Sequence, residues 1–239
     1  MASYRAPRII GWITRVLFSL FIFSICGILI WRVFISAKIP KSIDTLVPNA
    51  KLTEAYEATD GNLTLRYQEL STISRSTDRY GYFSVPSYVF IQEAEQVQVV
   101  FRYNNSTILH LQEDYGLEKT PEKSQHLFDV SLVIAVDPTP SDRTDESDKS
   151  PLETKRIFPS CEPIREETAL YTFYRYVFDG VSVEDITDSI YLDVYYVEDM
   201  DLDAEAYGTL CLYDYKTETI PAKLSKADIK AIETYTGKN

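Results

Sequence analysis

The chain is short of the residues that most catalytic motifs need. Its 239 positions hold eight glycines, three cysteines and two histidines. With glycine so sparse it carries no Walker-type phosphate loop, no dinucleotide fingerprint and no G-x-S-x-G nucleophile elbow. His110 and His126 have no cysteine nearby, so no zinc-ligand spacing forms. Three cysteines are too few for a disulfide framework. Cys26 falls in an apolar run behind Ile25, too bulky a residue for a lipoprotein cleavage box. Cys161 and Cys211 read as free thiols, and a disulfide between them is the alternative in an oxidising compartment.

Acidic side chains are missing from the first 37 positions, which hold Arg5, Arg8, Arg15 and Arg32. The rest of the chain carries 20 basic side chains against 36 acidic ones, a formal charge of −16. A surface that negative repels phosphate backbones, which excludes nucleic acid as a partner.

Long apolar runs are also absent, with one exception. The stretch that starts at Val16 and ends at Ile35 reads VLFSLFIFSICGILIWRVFI, and Arg32 is its only charge. As a helix rising about 1.5 Å per residue, it matches the roughly 30 Å hydrocarbon core of a bilayer. It is longer than the roughly 7–15 apolar residues of a secretory signal, the rival reading, for which Ile35-Ser36-Ala37 would be the cleavage site. Trp12 and Trp31, the only tryptophans, flank the run as interfacial rings do. Positive residues are nearly balanced across it. The amino group of Met1 tips the count towards a cytoplasmic N-terminus and an extracytoplasmic body.

Aromatic residues are plentiful: 13% of the chain, with 18 tyrosines. That excludes a disordered body. The expected organisation is a tail over 1–15, a transmembrane helix over 16–35, and a juxtamembrane stalk with a short helix over 36–60. A β-rich domain follows over 61–239, broken by an acidic, proline-containing loop over 137–154. We read 61–239 as one domain, because the part after the loop offers only about three good strands before its final helix.

Periodicity supplies the elements. Leu52, Ala55, Tyr56 and Thr59 share a helical face that Asp60-Gly61 ends. From there the period drops to two, in Leu63, Leu65 and Tyr67, then in Val97, Val99, Phe101 and Tyr103. Pro86 marks an edge or a bulge in the strand between them. Asn104-Asn105 predicts a tight hairpin with a return strand over 107–112, which would carry His110. Phe128, Val130, Leu132, Ile134 and Val136 give the cleanest alternation. Residues 169–178 are apolar or aromatic on both faces, as in a central strand. Ile190, Leu192, Val194 and Tyr196 point one way and Tyr191, Asp193 and Tyr195 the other. Leu210 and Leu212 mark the last strand. Ser225 caps a C-terminal helix, with Asp228 in its first turn, a staple of Leu224 on Ile229 and a stop at Gly237. The fold class is mainly β: an antiparallel, β-sandwich-like ectodomain with a short N-terminal and a C-terminal helix, behind one transmembrane helix.

Two groups of residues carry candidate chemistry. Tyr191 and Tyr195 flank Asp193 on one strand face, and Tyr213 and Tyr215 lie on a neighbouring strand. Rings beside a carboxylate can stack on a sugar and bond its hydroxyls. The plainer reading is that tyrosine is a favoured strand residue covered by another element. Asp199, Asp201, Asp203 and Glu205 alternate and offer oxygen ligands to a weak surface calcium ion. The EF-hand pattern fails, since Ala204 and Leu210 stand where glycine and glutamate belong. That loop otherwise reads as an acidic hairpin connection, and no other cofactor is implied. The expected function is a single-pass, membrane-anchored, extracytoplasmic module that binds a cell-surface glycan or a protein, or acts structurally, without catalysis. A membrane-anchored hydrolase of surface carbohydrate and an accessory subunit of a membrane complex are the alternatives.

Overall fold

Apolar residues repeating all round a helix leave it no face for water, and the first element is of that kind. In the computed structural model, helix α1 runs Ala6–Ala37. Its mean hydropathy reaches 2.3, and Leu17, Phe18, Phe21, Phe23 and Ile28 are each more than half exposed. The structure describes residues 6–69, 83–122, 124–136, 153–183, 185, 190–197, 206–213 and 220–237. They fall into two units, divided after Lys38.

The second unit opens with a short helical turn, α2 (Lys41–Asp44), and helix α3 (Ala50–Ala58). Asn49 caps α3 by accepting from Leu52 N at 2.9 Å. Asp60 and Gly61 end it with positive φ angles of 51° and 79°. Strands β1 (Leu65–Glu69), β2 (Phe83–Ile91) and β3 (Gln96–Asn104) come next, then helix α4 (Thr107–Asp114) and strand β4 (Phe128–Val136). The remainder is β5 (Glu153–Ile157), β6 (Ile164–Glu167), β7 (Tyr171–Asp179), β8 (Ile190–Tyr196), β9 (Gly208–Tyr213), β10 (Ile220–Ala222) and helix α5 (Lys226–Tyr235).

All described strand pairs are antiparallel. They build a six-stranded sheet, β10-β1-β2-β3-β7-β6, and a four-stranded sheet, β5-β4-β8-β9. The alternating residues of both sheets meet in one apolar core. Phe83, Phe101 and Tyr176 from the larger sheet lie in it with Phe128, Leu192 and Leu210 from the smaller. The opposite face of the larger sheet has its own cover. Leu46, Leu52 and Ile232 pack with Leu65, Val89 and Ile91, and Ile43 packs with Val100 and Phe173.

Several expectations need correction. Residues 107–112 are helical, so His110 lies on α4 and no hairpin follows Asn104. Asn104 Oδ1 accepts from Ser106 N at 3.0 Å and from its hydroxyl at 2.9 Å, a local turn that launches the helix. Ile108 and Leu111, three apart, then turn inward. β9 is not the last strand, because β10 follows and pairs with β1. Pro86, by contrast, meets its expectation: of the edge and the bulge, it is the bulge, marked by a register shift between Ser84 and Ser87. β5 and β6 occupy residues that read as loop. Residues 41–48, which read as stalk, pack onto the larger sheet from Ile43 onwards.

Candidate functional site

The period of two puts residues 191, 193 and 195 of β8 on the face turned away from the core, and the structure brings them together there. Register completes the group. Ser131 of β4 and Thr209 of β9 stand directly opposite Asp193, on either side of it. Val133 and Cys211 flank Tyr191 in the same way. Arg156, on the edge strand β5, pairs with Val133 and reaches across the face.

Asp193 is the hub. One carboxylate oxygen accepts from Thr209 Oγ1 at 2.7 Å. The other accepts from Arg156 Nη2 and from the Tyr195 hydroxyl, each at 3.3 Å. Arg156 Nη1 also donates to Ser131 Oγ at 3.3 Å and to the Tyr195 hydroxyl. The Arg156 guanidinium stands 5.6 Å from the centre of the Tyr195 ring, close enough for cation–π attraction. The Asp193 side chain is 13% exposed and that of Arg156 34%.

This geometry sharpens the expectation. Tyr195 is buried, its hydroxyl is engaged, and its ring lies beside Arg156. Tyr191 is half-buried between Val133 and Cys211, so among the described residues it is the ring of this group that still reaches the surface. The charges of Arg156 and Asp193 offset each other, while Asp129 stands opposite Tyr195 on the same face. Arg156, Ser131 and Thr209 were not legible as site residues. Arg156 sits in ETKRI, which has no apolar alternation, and the other two become neighbours of Asp193 only through strand register.

Tyr213 ends β9. Tyr215 lies outside the described residues, as do Asp199, Asp201, Asp203 and Glu205 of the candidate calcium loop. Cys161 and Cys211 are not joined in a disulfide. Cys161 is in the connection from β5 to β6, which passes from one sheet to the other, and Cys211 is in β9 of the four-stranded sheet. Burial, helped by the Asp179 carboxylate, pushes the Cys161 thiol above its ordinary pKa.

A second polar cluster sits at the end of the core. Tyr103 and Tyr174 are fully buried with their rings 6.1 Å apart, and Arg165 of β6 stands in register with Tyr174. Burial raises both tyrosine pKa values. The His126 ring meets Tyr174 edge-on at 5.3 Å, and its Nε2 is 2.7 Å from Asp129 Oδ1. The two hydroxyls are sealed from solvent, so they cannot reach a dissolved substrate. Among the described residues no three His, Cys, Asp or Glu side chains converge as metal ligands.

No family model, curated protein or solved structure matches the chain.

Proposed function

We propose that this protein is a single-pass membrane protein whose β-sandwich-like body works outside the cytoplasm as a non-catalytic recognition or structural module. The observation that carries the reading is α1. It is 32 residues long, about 48 Å at ~1.5 Å per residue, and its large apolar side chains are exposed all round. Each such side chain left in water forgoes about 1.5–3 kcal/mol, so the helix as a whole calls for tens of kcal/mol of burial. A bilayer supplies that burial without any protein partner.

The recognition surface we assign is the outer face of the four-stranded sheet, with Tyr191 as a half-buried ring and Arg156 and Asp193 as hydrogen-bonding groups. An acidic protein surface with an Arg–Asp pair on this face favours a partner without strong negative charge, such as a neutral glycan or a protein.

Membrane fractionation tests the anchor. The full-length chain should sediment with membranes through an alkaline wash and move to the supernatant when residues 16–35 are deleted. Untrimmed full-length chain in the supernatant would sink the reading. Membrane-impermeant maleimide on intact cells tests the side. Cys211 should label before lysis, and Cys161 more slowly because its thiol is held protonated. Labelling of both only after lysis would move the body to the cytoplasm.

A further inference from the structure

Residues 43–47 are held in an unusual way for a chain connection. Their backbone makes no strand ladder with the sheet beneath. Instead, side chains from three distant elements bond their main-chain groups. Arg175 Nη1, on β7, donates to the carbonyls of Ile43 at 2.8 Å and Asp44 at 3.2 Å. Asp228, on α5, accepts from Leu46 N at 2.8 Å. Gln98, on β3, accepts from Val47 N and donates to Val47 O, both at 2.9 Å. Five backbone groups are thus recognised by three side chains, all nearly buried.

The recognising groups are themselves held. Gln98 Nε2 also donates to Gln96 Oε1 at 2.7 Å, and Arg175 Nε donates to Gln98 Oε1 at 2.9 Å. Gln96 Nε2 reaches Asp179 Oδ1 at 2.7 Å and Asn49 Oδ1 at 3.0 Å. Between these bonds the segment's apolar side chains find sockets. Ile43 packs on Val100 and Phe173, and Leu46 packs in the cluster with Val89, Ile91 and Ile232. Side chains that bond a segment's main-chain groups, together with sockets for its apolar side chains, are the two parts a peptide-binding site needs.

We infer that the outer face of β3 and β7, closed on one side by α5, is a binding site for an aliphatic peptide that leaves a helical turn and then runs extended, and that residues 43–47 are its resident ligand, held in cis. The site selects bulky aliphatic residues at the positions of Ile43, Leu46 and Val47. It does not depend on whether α1 enters a bilayer. The same sequence supplied from outside the chain therefore competes for it.

The test uses the full chain in detergent micelles, with a protease recognition sequence inserted between Pro48 and Asn49. After cleavage, the piece 49–239 should stay with the micelle-bound piece 1–48 in size-exclusion chromatography, with an unchanged near-ultraviolet circular dichroism spectrum. A fluorescent peptide of residues 39–48 in excess should then displace the body from the micelle and elute with it. A peptide with serine in place of Ile43, Leu46 and Val47 should not. Gln98→Ala in the same background should weaken peptide binding by roughly tenfold or more, since it removes two hydrogen bonds. Three results overturn the inference. The pieces could separate on cleavage while the body stays folded and ignores the peptide. They could stay together and never exchange with it. Or the body could unfold once cut, which would make the segment part of the fold and not its ligand.

Discussion

Each sheet carries an arginine whose guanidinium lies over its outer face, and the two faces have opposite fates. On the larger sheet, Arg175 is 3% exposed beneath residues 43–47 and donates to two main-chain carbonyls and to Gln98. On the smaller sheet, the Arg156 side chain is about one-third exposed and shares Asp193 with Tyr195 and Thr209. The chemistry is alike and the cover differs. A buried guanidinium must have its bonds met by the fold, because a lost partner leaves a desolvated group unpaired. An exposed one can trade any partner for water at small cost, so it is free to meet a ligand.

Substitutions can break that contrast or sharpen it. The largest effect should come from Arg175→Met, which keeps the apolar stem and removes every bond of the guanidinium. We expect a loss of about 3 kcal/mol, and therefore a fall in Tm of roughly 6–12 °C for a body of this size. A melt in detergent checks it, and a Tm unchanged by this variant would mean that the covered face adds nothing to stability. Asp228→Ala should cost about 1–2 kcal/mol. It removes both the acceptor for Leu46 N and one half of the capping box with Ser225, and chemical denaturation would measure the loss. Arg156→Ala should cost less than about 1 kcal/mol in the same assay. A drop as large as that of Arg175→Met would show that the smaller sheet's face is structural, and the recognition surface would have to be sought elsewhere.

The smallest effect concerns acid. Partial burial works against the charged form of Glu93, but the hydroxyl and N–H of Thr64 outweigh it and hold the pKa below the usual carboxylate value. The folded state thus releases this proton more readily than the unfolded chain. Glu93 adds stability above its unfolded pKa, and that contribution drains away as pH falls through the lower folded value. Glu93→Gln should flatten the acid limb of a stability-against-pH curve and leave a smaller difference from the parent at low pH than at neutral pH. An equal difference at both would show that the Thr64 bonds do not favour the ionised form.

What could be read beforehand followed the strength of local pattern. β4 runs from Phe128 to Val136 as its alternation requires, because a strand with one face in the core must repeat with a period of two. The two faces of β8 and the Ser225–Asp228 cap were legible for the same reason, since each is decided within a few residues. α4 was not. TILHLQ buries Thr107, Ile108 and Leu111, too short a stripe to read as helical, and its β-branched start and the preceding asparagines favour a hairpin on propensity alone. The edge strands β5 and β6 carry charges where a central strand carries valine, so ETKRI and IREE look like loop. The two arginine networks were the least accessible. Arg175 finds Asp44 131 positions away, and Arg156 finds Asp193 37 positions away. No local rule spans such separations, and only strand register and the return of residues 43–47 bring these groups together.

Trp12 and Trp31 both lie on α1, 67% and 68% exposed, and no tryptophan occurs anywhere else in the chain. The protein is therefore optically divided. Excitation at the red edge, beyond tyrosine absorption, illuminates the helix alone, and its emission colour and quenching by brominated lipid report whether those indoles sit in an acyl or an aqueous environment. The tyrosine ultraviolet bands report mainly on the packing of the sheets. One unmodified sample can thus reveal insertion and unfolding as separate signals, without a single added dye.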